Sequence, residues 1–252
     1  MAKGFPVAAS LILLALLALS AACGGGGGES SATATATVAA TSAATPTTTV
    51  GVSALIDIKD FDTAHFTTTQ TSTAGENTSQ LSGEGVIDNR QQALSVTYEG
   101  AAGGEIIAIG RTIYAYDQTQ RRWTSGTEAA DGQVGFGRPY WPQYWLDAVR
   151  AEDLGGQSLQ GAETVGYRLT FDLEKVGKRL QSPGATQPLD VRQAEVEAWV
   201  DVASRYTVRL IFRLEIALGS QSTRIESTSD FSDFGADVQI TAPPVATPTP
   251  GS

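Results

Sequence analysis

The dominant pattern along the chain is alternation of apolar and polar residues, the period of a strand that buries one face. Over residues 208–216, Val208, Leu210, Phe212, Leu214 and Ile216 fall on one side and Arg209, Arg213 and Glu215 on the other, with Ile211 the exception. Val165, Tyr167, Leu169, Phe171 and Leu173 make a second apolar row, backed by Arg168, Thr170 and Asp172. Val196, Ala198 and Val200 make a third, backed by Glu195, Glu197 and Asp201. Such rows predict one-sided antiparallel strands. Further strands are expected over residues 65–72, 80–88, 93–98, 105–109, 112–116 and 222–231, with polar hairpin connections at Asp88-Asn89, Asp117-Gln118 and Ala203-Ser204.

Helical signals are few and short. Ser53 can cap a turn carrying Leu55 and Ile56, and Asp172 can cap a helix with Leu173, Val176 and Leu180 on one side. A third helix is expected over residues 140–149, with Trp141, Tyr144, Trp145, Leu146 and Val149 and with Pro142 in its first turn. It follows a segment with Gly132, Gly135 and Gly137 that reads as flexible. The pattern therefore predicts a mainly antiparallel β fold of the α+β class, a long curved sheet with a few short helices on its apolar face.

Composition narrows the chemistry. The 252 residues hold one His and one Cys, too few for a His- or Cys-rich metal site, and no cofactor is expected. The net charge of -10 argues against nucleic acid as a partner, since phosphate binding needs a basic face. No disulfide framework is available either, so the fold must rest on its core.

Both ends of the chain differ from this pattern. Residues 1–22 read as an export signal: Lys3, an apolar stretch over residues 7–19 too short to span a bilayer comfortably, then Ser20, Ala21 and Ala22. Cys23 and five glycines follow. The stretch LALSAAC resembles the lipobox of bacterial lipoprotein precursors, although Ser20 stands where such signals usually place Leu, Val or Ile, and Leu19 lies one position further back. The resemblance implies a diacylated Cys23 and a cell-membrane location on the extracytoplasmic face. An ordinary cleaved signal with a free thiol, or a retained apolar anchor, are the alternatives. Residues 24–50 contain eight Thr and one charged residue, Glu29, which leaves too little apolar surface to offset chain entropy. They read as a tether whose mean span is roughly 30 Å. Loss of Lys3 with the signal takes the net charge from -10 to -11. The expected organisation is a signal at 1–22, lipidated Cys23 and tether to 51, one domain over 52–244 and a disordered tail over 245–252.

Within the domain, a series of stretches resembles the LppX/LprG-type envelope lipoproteins, relatives of the LolA and LolB lipoprotein carriers. In order they are AHFTTT, LSGEGVID, GEIIAIGRTIYAYD followed by Trp123, YWLDAV, ETVGYRLTFDLE, VEAWVDVASRYTVRLIF and FSDFGADVQITAPP. The resemblance runs from Thr63 to Pro244 and implies a half-barrel whose concave face, partly covered by helices, holds acyl chains. It implies lipid binding, and transport with an envelope partner, without a catalytic motif. Burying a methylene is worth about 0.8 kcal/mol, so a chain of about sixteen carbons would gain roughly 12 kcal/mol before ordering costs, and no reactive residue is needed. The candidate cavity residues are Trp141, Tyr144, Trp145, Leu146, Val149, Phe66, Leu169, Phe171, Leu210, Phe212 and Leu214. Binary pattern cannot separate a cavity from a filled core, so an anchored scaffold or protein-interaction module remains the alternative.

Other candidate chemistry reads as surface. His65 lacks the local signature of a Ser-His-Asp nucleophile. Asp230, Asp233 and Asp237, or Glu195, Glu197 and Asp201, lack the loop spacing of a calcium site. Arg121, Arg122 and Trp123 could meet an anionic head group or form an ordinary hairpin. Asn77-Thr78-Ser79 matches a glycosylation acceptor, a match common by chance. Trp199 is expected to stack with a cross-strand arginine such as Arg209.

Overall fold

Alternating sequence becomes a single sheet in the computed structural model, which describes residues 48–50, 58–100, 103–110, 112–127, 148–180, 189–218 and 221–245. The elements are β1 (Thr48–Val50), β2 (Thr63–Ala74), β3 (Asn77–Asp88), β4 (Ala93–Glu99), β5 (Gly104–Ile109), β6 (Thr112–Asp117) and β7 (Arg122–Thr127), then β8 (Ala148–Leu159) and β9 (Ala162–Phe171). Helix α1 (Leu173–Leu180) follows, and β10 (Asp190–Asp201), β11 (Thr207–Leu218) and β12 (Gln221–Ser232) complete the set.

All neighbours pair antiparallel in the order β1-β8-β9-β10-β11-β12-β2-β3-β4-β5-β6-β7. Two meanders, β2 to β7 and β8 to β12, are thus joined at a seam where β12 lies beside β2 over the register Thr223↔Ala74 to Ser232↔His65. The seam occupies the sixth and seventh places of twelve. Strands β1 and β7 are edges and do not pair with each other, so the sheet is open. An open sheet of this width must curl to bury one face. Here Val96 on β4 and Leu169 on β9, far apart in strand order, are both buried in one core cluster. The result is a curved half-barrel, and α1 is the one helix among the described residues.

The expected rows all lie on the inner side: Leu210, Leu214 and Ile216 of β11, Val196, Ala198 and Val200 of β10, and Tyr167, Leu169 and Phe171 of β9 belong to the same core. Helix α1 starts where Asp172 Oδ1 accepts the backbone N–H groups of Glu174 and Lys175 at 3.1 and 3.2 Å, a side-chain N-cap. It buries Val176 against β10. Leu173 is its first residue, not the last member of the β9 row, because that cap ends the strand.

Three departures from the pattern concern β1, β7 and β8. Strand β8 contains Ala148 and Val149, which were expected to end a helix; pairing of Ala148 with Phe171 holds them in the sheet. Register shifts between Ala148 and Arg150 and between Asp153 and Gly155 break its alternation, so no period of two is visible in its sequence. Strand β7, RWTSGT, is a polar edge strand with no apolar row. Thr48–Val50, from the Thr-rich segment, pairs with Ala151, Glu152 and Asp153 of β8.

The outer face is charged on one meander and apolar on the other. Across β8 to β12, Arg168 bonds Glu197 at 2.9 Å, Arg213 bonds Glu197 at 2.7 Å and Glu226 at 2.9 Å, and Arg209 meets Asp230 at 2.6 and 3.0 Å. Across β3 to β7 the outer side carries Val86, Ala93, Ile107, Ile109, Tyr114 and Trp123, packed beneath the chain that follows β12. This strap leaves the seam through Gly235 N–H to Thr63 O at 2.9 Å and Thr63 Oγ1 to Ala236 O at 2.7 Å. It buries Val238 and Ile240, and Val245 forms a parallel bridge to Trp123.

Candidate functional site

Register assigns the inner face residue by residue, because side chains alternate along every strand and paired residues share a face. One transverse row reads Val196 (β10), Phe212 (β11), Ser227 (β12), Gln70 (β2), Leu81 (β3). The next towards the α1 side reads Ala194, Leu214, Ile225, Ser72, Ser79, and the one on the other side Ala198, Leu210, Ser229, Thr68, Gly83. Phe212, Ser227, Gln70 and Leu81 are each only partly buried, and so is Ile225, although all face inward. Leu210, Leu214, Val196, Ser229 and Thr68 around them are buried. A strip of solvent-accessible side chains therefore crosses the inner face.

At the seam the inner row is polar. Thr68 Oγ1 lies 3.1 Å from Ser229 Oγ and 3.5 Å from Ser227 Oγ, and Gln70 Nε2 donates to Ser72 Oγ at 3.4 Å. Thr68, Ser72, Thr223 and Ser229 are buried. At the inner-row positions of β11, β12, β2, β3 and β4 there is no Asp, Glu, Lys, Arg or His among the described residues. The one ionisable group there is Tyr98, whose phenol burial pushes above its ordinary value. Its ring lies over Gly83, where a Cβ would stand 2.8 Å from Tyr98 Cδ1, and Phe66 lies over Gly85 in the same manner at 2.7 Å. The two glycines let aromatic rings lie flat on the sheet and keep the floor of the concavity low.

Of the expected cavity residues, Phe66, Leu169, Phe171, Leu210 and Leu214 are buried on the inner face, and Phe212 is on it and partly accessible. Val149 sits in the irregular pairing between Ala148 and Arg150 and is 60% exposed. Trp141, Tyr144, Trp145, Leu146 and Cys23 lie outside the described residues. The polar inner stripe of Thr68, Gln70, Ser72, Thr223, Ser227 and Ser229 has no counterpart in the sequence reading. Strands β2 and β12 carry hydroxyls on both faces, so alternation gives no sign of which face turns inward.

The remaining candidates have structural roles. His65 is exposed and pairs in register with Val86 and Ser232. Asp230 holds Arg209, Glu197 holds two arginines, Glu195 accepts from Gln193 Nε2 at 2.9 Å and Asp201 caps the turn at Ser204. Among the described residues no three His, Cys, Asp or Glu side chains are grouped to hold a metal ion. Trp199 stands opposite Arg209 in register, but Arg209 forks onto Asp230 and the indole lies over Gly166. Trp123 packs edge-on against Tyr116, with ring centroids 5.4 Å apart.

No protein-family model and no curated protein sequence matches the chain. Solved structures do. The crystal structure of the Mycobacterium tuberculosis lipoprotein LppX aligns at 16% identity over 75% of this chain and 98% of that one, with a TM-score of 0.48. LprF from Mycobacterium bovis aligns at 13% identity over 76% and 96%, with a TM-score of 0.40. The MucA/MucB complex of Pseudomonas aeruginosa aligns at 14% identity over 78% and 62%, with a TM-score of 0.37. This chain is similar in fold to structures of the type its motifs resemble, the LppX and LprF lipoproteins among them.

Proposed function

We propose that the protein is a membrane-anchored envelope lipoprotein that binds a lipid, or another apolar ligand, on the concave side of its half-barrel and that it acts in lipid transport without catalysis. The observation that carries this reading is the accessible inner strip, in which Phe212 and Ile225 face the concavity yet remain in contact with solvent. A filled core removes such side chains from water, since each leaves apolar area unburied. Acyl chains are the complement of this surface: they need length and apolar contact, and no charged partner.

The anchor in this reading is a diacylated Cys23 as the first mature residue, with the Gly- and Thr-rich segment as tether to a sheet whose first strand is Thr48–Val50. The domain is held at the extracytoplasmic face of the membrane, within reach of a bilayer and of a transport partner. Trp141, Tyr144, Trp145 and Leu146 join the inner-face residues as ligand contacts at the mouth of the cavity; amphipathic rings suit a boundary between lipid and water.

Mass spectrometry of organic extracts from the purified protein tests the reading. Stoichiometric lipid, or saturable uptake of a fluorescent fatty-acyl probe after delipidation, is the expected result. Absence of both would leave the anchored scaffold with a filled core as the better account.

A further inference from the structure

Positive charge on the sheet is mostly neutralised in place. Arg90 sits on Asp88, Arg213 on Glu197 and Glu226, and Arg224 on Glu215. The turn between β6 and β7 differs. Arg121 and Arg122 stand side by side there, both exposed, and neither side chain meets a carboxylate or a hydrogen-bond acceptor among the described residues. Asp117 is in register with Arg122 but makes no ion pair with it; its Oδ1 accepts the Gln120 backbone N–H at 2.9 Å. The turn is also fixed in place. Gln118 Nε2 donates to Gly103 O at 2.9 Å, and Arg121 takes the left-handed φ of 51° that leads into β7. The fold thus makes no use of two adjacent cations in a chain whose net charge is -10. Beside them the outer face turns aromatic. Tyr116 and Trp123 pair in register with ring centroids 5.4 Å apart, Tyr114 lies two residues from Tyr116 on the same side, and all three are only partly buried. Arginines next to partly exposed Tyr and Trp suit a membrane–water boundary, where rings lie at headgroup level and guanidinium groups bond phosphate.

We propose, resting on the anchored reading above, that the β6–β7 turn docks on the anionic surface of the bilayer to which the chain is tethered, with Arg121 and Arg122 on lipid phosphates and Tyr116 and Trp123 at the headgroup boundary. Position in the sheet supports this occupant. The tether reaches the domain through β1, one edge of the open sheet, and β7 is the other edge. A half-barrel held at both edges turns its open side towards the surface that holds it. Each arginine near an anionic surface is worth only about fivefold in binding, but the tether keeps the bilayer at high effective concentration, so a weak contact is enough to set orientation. Repulsion from the rest of the acidic domain is screened over about 8 Å at physiological salt, and charges further from the surface do not oppose the contact. A nucleic acid would need many phosphates neutralised along a basic face, which two arginines do not provide.

The test uses the full acylated chain reconstituted in vesicles of phosphatidylcholine, with and without phosphatidylglycerol. Thr119→Cys places a thiol in the exposed turn, and acylation of the chain's single cysteine leaves it the one thiol open to an NBD fluorophore, whose emission rises on leaving water. Ala203→Cys in the exposed β10–β11 turn is the control. Emission from position 119 is expected to rise with phosphatidylglycerol content and to fall back at high salt, while position 203 stays unchanged. Arg121→Glu together with Arg122→Glu is expected to abolish the rise, with the melting temperature unchanged and the chain still in the vesicle pellet. Arg121→Lys together with Arg122→Lys is expected to keep it. No rise, an equal rise on phosphatidylcholine alone, or a rise that survives the charge reversal would overturn the docking role and leave the anchor intact. A rise with tripolyphosphate in free solution equal to that on vesicles would overturn the assignment to a membrane surface. A wild-type chain absent from the vesicle pellet would remove the anchored reading itself, and this inference with it.

Discussion

The indole of Trp199 lies across Gly166 of the neighbouring strand, so close that a Cβ on the glycine would stand 2.6 Å from Cζ3 of the ring. The pair occupies the outer face of the β9–β10 ladder, in register. A side chain at position 166 must displace the ring, and Gly166→Ala is expected to destabilise the fold by about 1–3 kcal/mol. Urea denaturation measures the loss. Replacing Trp199 by Leu in the same background should recover part of it, because the clash is a property of the pair; additive losses would contradict the contact.

Glu197 joins two arginines on three adjacent strands, and removing its charge leaves both guanidinium groups without their common partner. Glu197→Gln is expected to cost about 1.5–3 kcal/mol at neutral pH, the range for hydrogen bonds to charged groups. The dependence on pH has a definite sign. Burial pushes the Glu197 carboxyl up, but hydrogen bonds from Arg213 and Arg168 outweigh it and hold the group below its ordinary value. The folded protein therefore binds fewer protons than the unfolded chain in acid. This contribution is complete above the unfolded value of about 4.3 and is lost as pH falls through the lower folded value. Melting temperatures measured between neutral and acid pH should show a shallower acid decline for Glu197→Gln than for the wild type. A residual decline is expected from Asp88, whose carboxyl burial also pushes up and which the Arg90 side chain and the backbone N–H groups of Gln91 and Arg90 hold down.

The strap after β12 closes the outer face of β3 to β7, so its loss should be felt there and not on the other meander. Ile240, 7% exposed, packs on Ala93 and Ile107. Ile240→Ala is expected to cost about 2–4 kcal/mol as a large-to-small core change. Hydrogen exchange should show lowered protection in β4 to β7 and little change in β9 and β10. Uniform loss across the sheet would mean that the strap stabilises the domain as a whole.

Two inner residues of β11 differ in exposure and so test whether the inner face serves a ligand or packing alone. Leu214 is 2% exposed and belongs to the closed core, whereas Phe212 is partly accessible beside Ser227. Leu214→Ala is expected to destabilise by about 2–5 kcal/mol. Phe212→Ala should reduce fluorescent acyl-probe uptake by a larger factor than it reduces stability. Similar stability losses for both, with uptake unaffected, would place Phe212 in packing alone. Replacing Trp145 by a charged residue makes the same comparison at the proposed mouth.

Cys23→Ser is expected to move the protein from the membrane fraction to the soluble fraction of fractionated cells. A variant that remains with the membrane would mean that the apolar leader is retained as an anchor.

Several features were legible in the chain. The rows Val208 to Ile216 and Val165 to Phe171 specified strands and their buried side, because a one-residue slip would turn every one of those side chains to solvent. Asp172 announced the start of α1, since its carboxylate satisfies N–H groups that the first turn leaves open. The absence of histidine, cysteine and basic residues in quantity set the limits of the chemistry. Strand β7 was signalled only by the hairpin connection at Asp117-Gln118, because an edge needs no apolar row, and β8 stayed hidden because its two irregularities break the period. Only the tertiary structure decided that β12 lies beside β2, a pairing of residues some 160 positions apart such as Ser229 and Thr68. That contact is set by how two meanders meet, which no local pattern encodes. It turns one hydroxyl row of β2 and β12 inward and the other out, and so places a polar band at the centre of an apolar concavity.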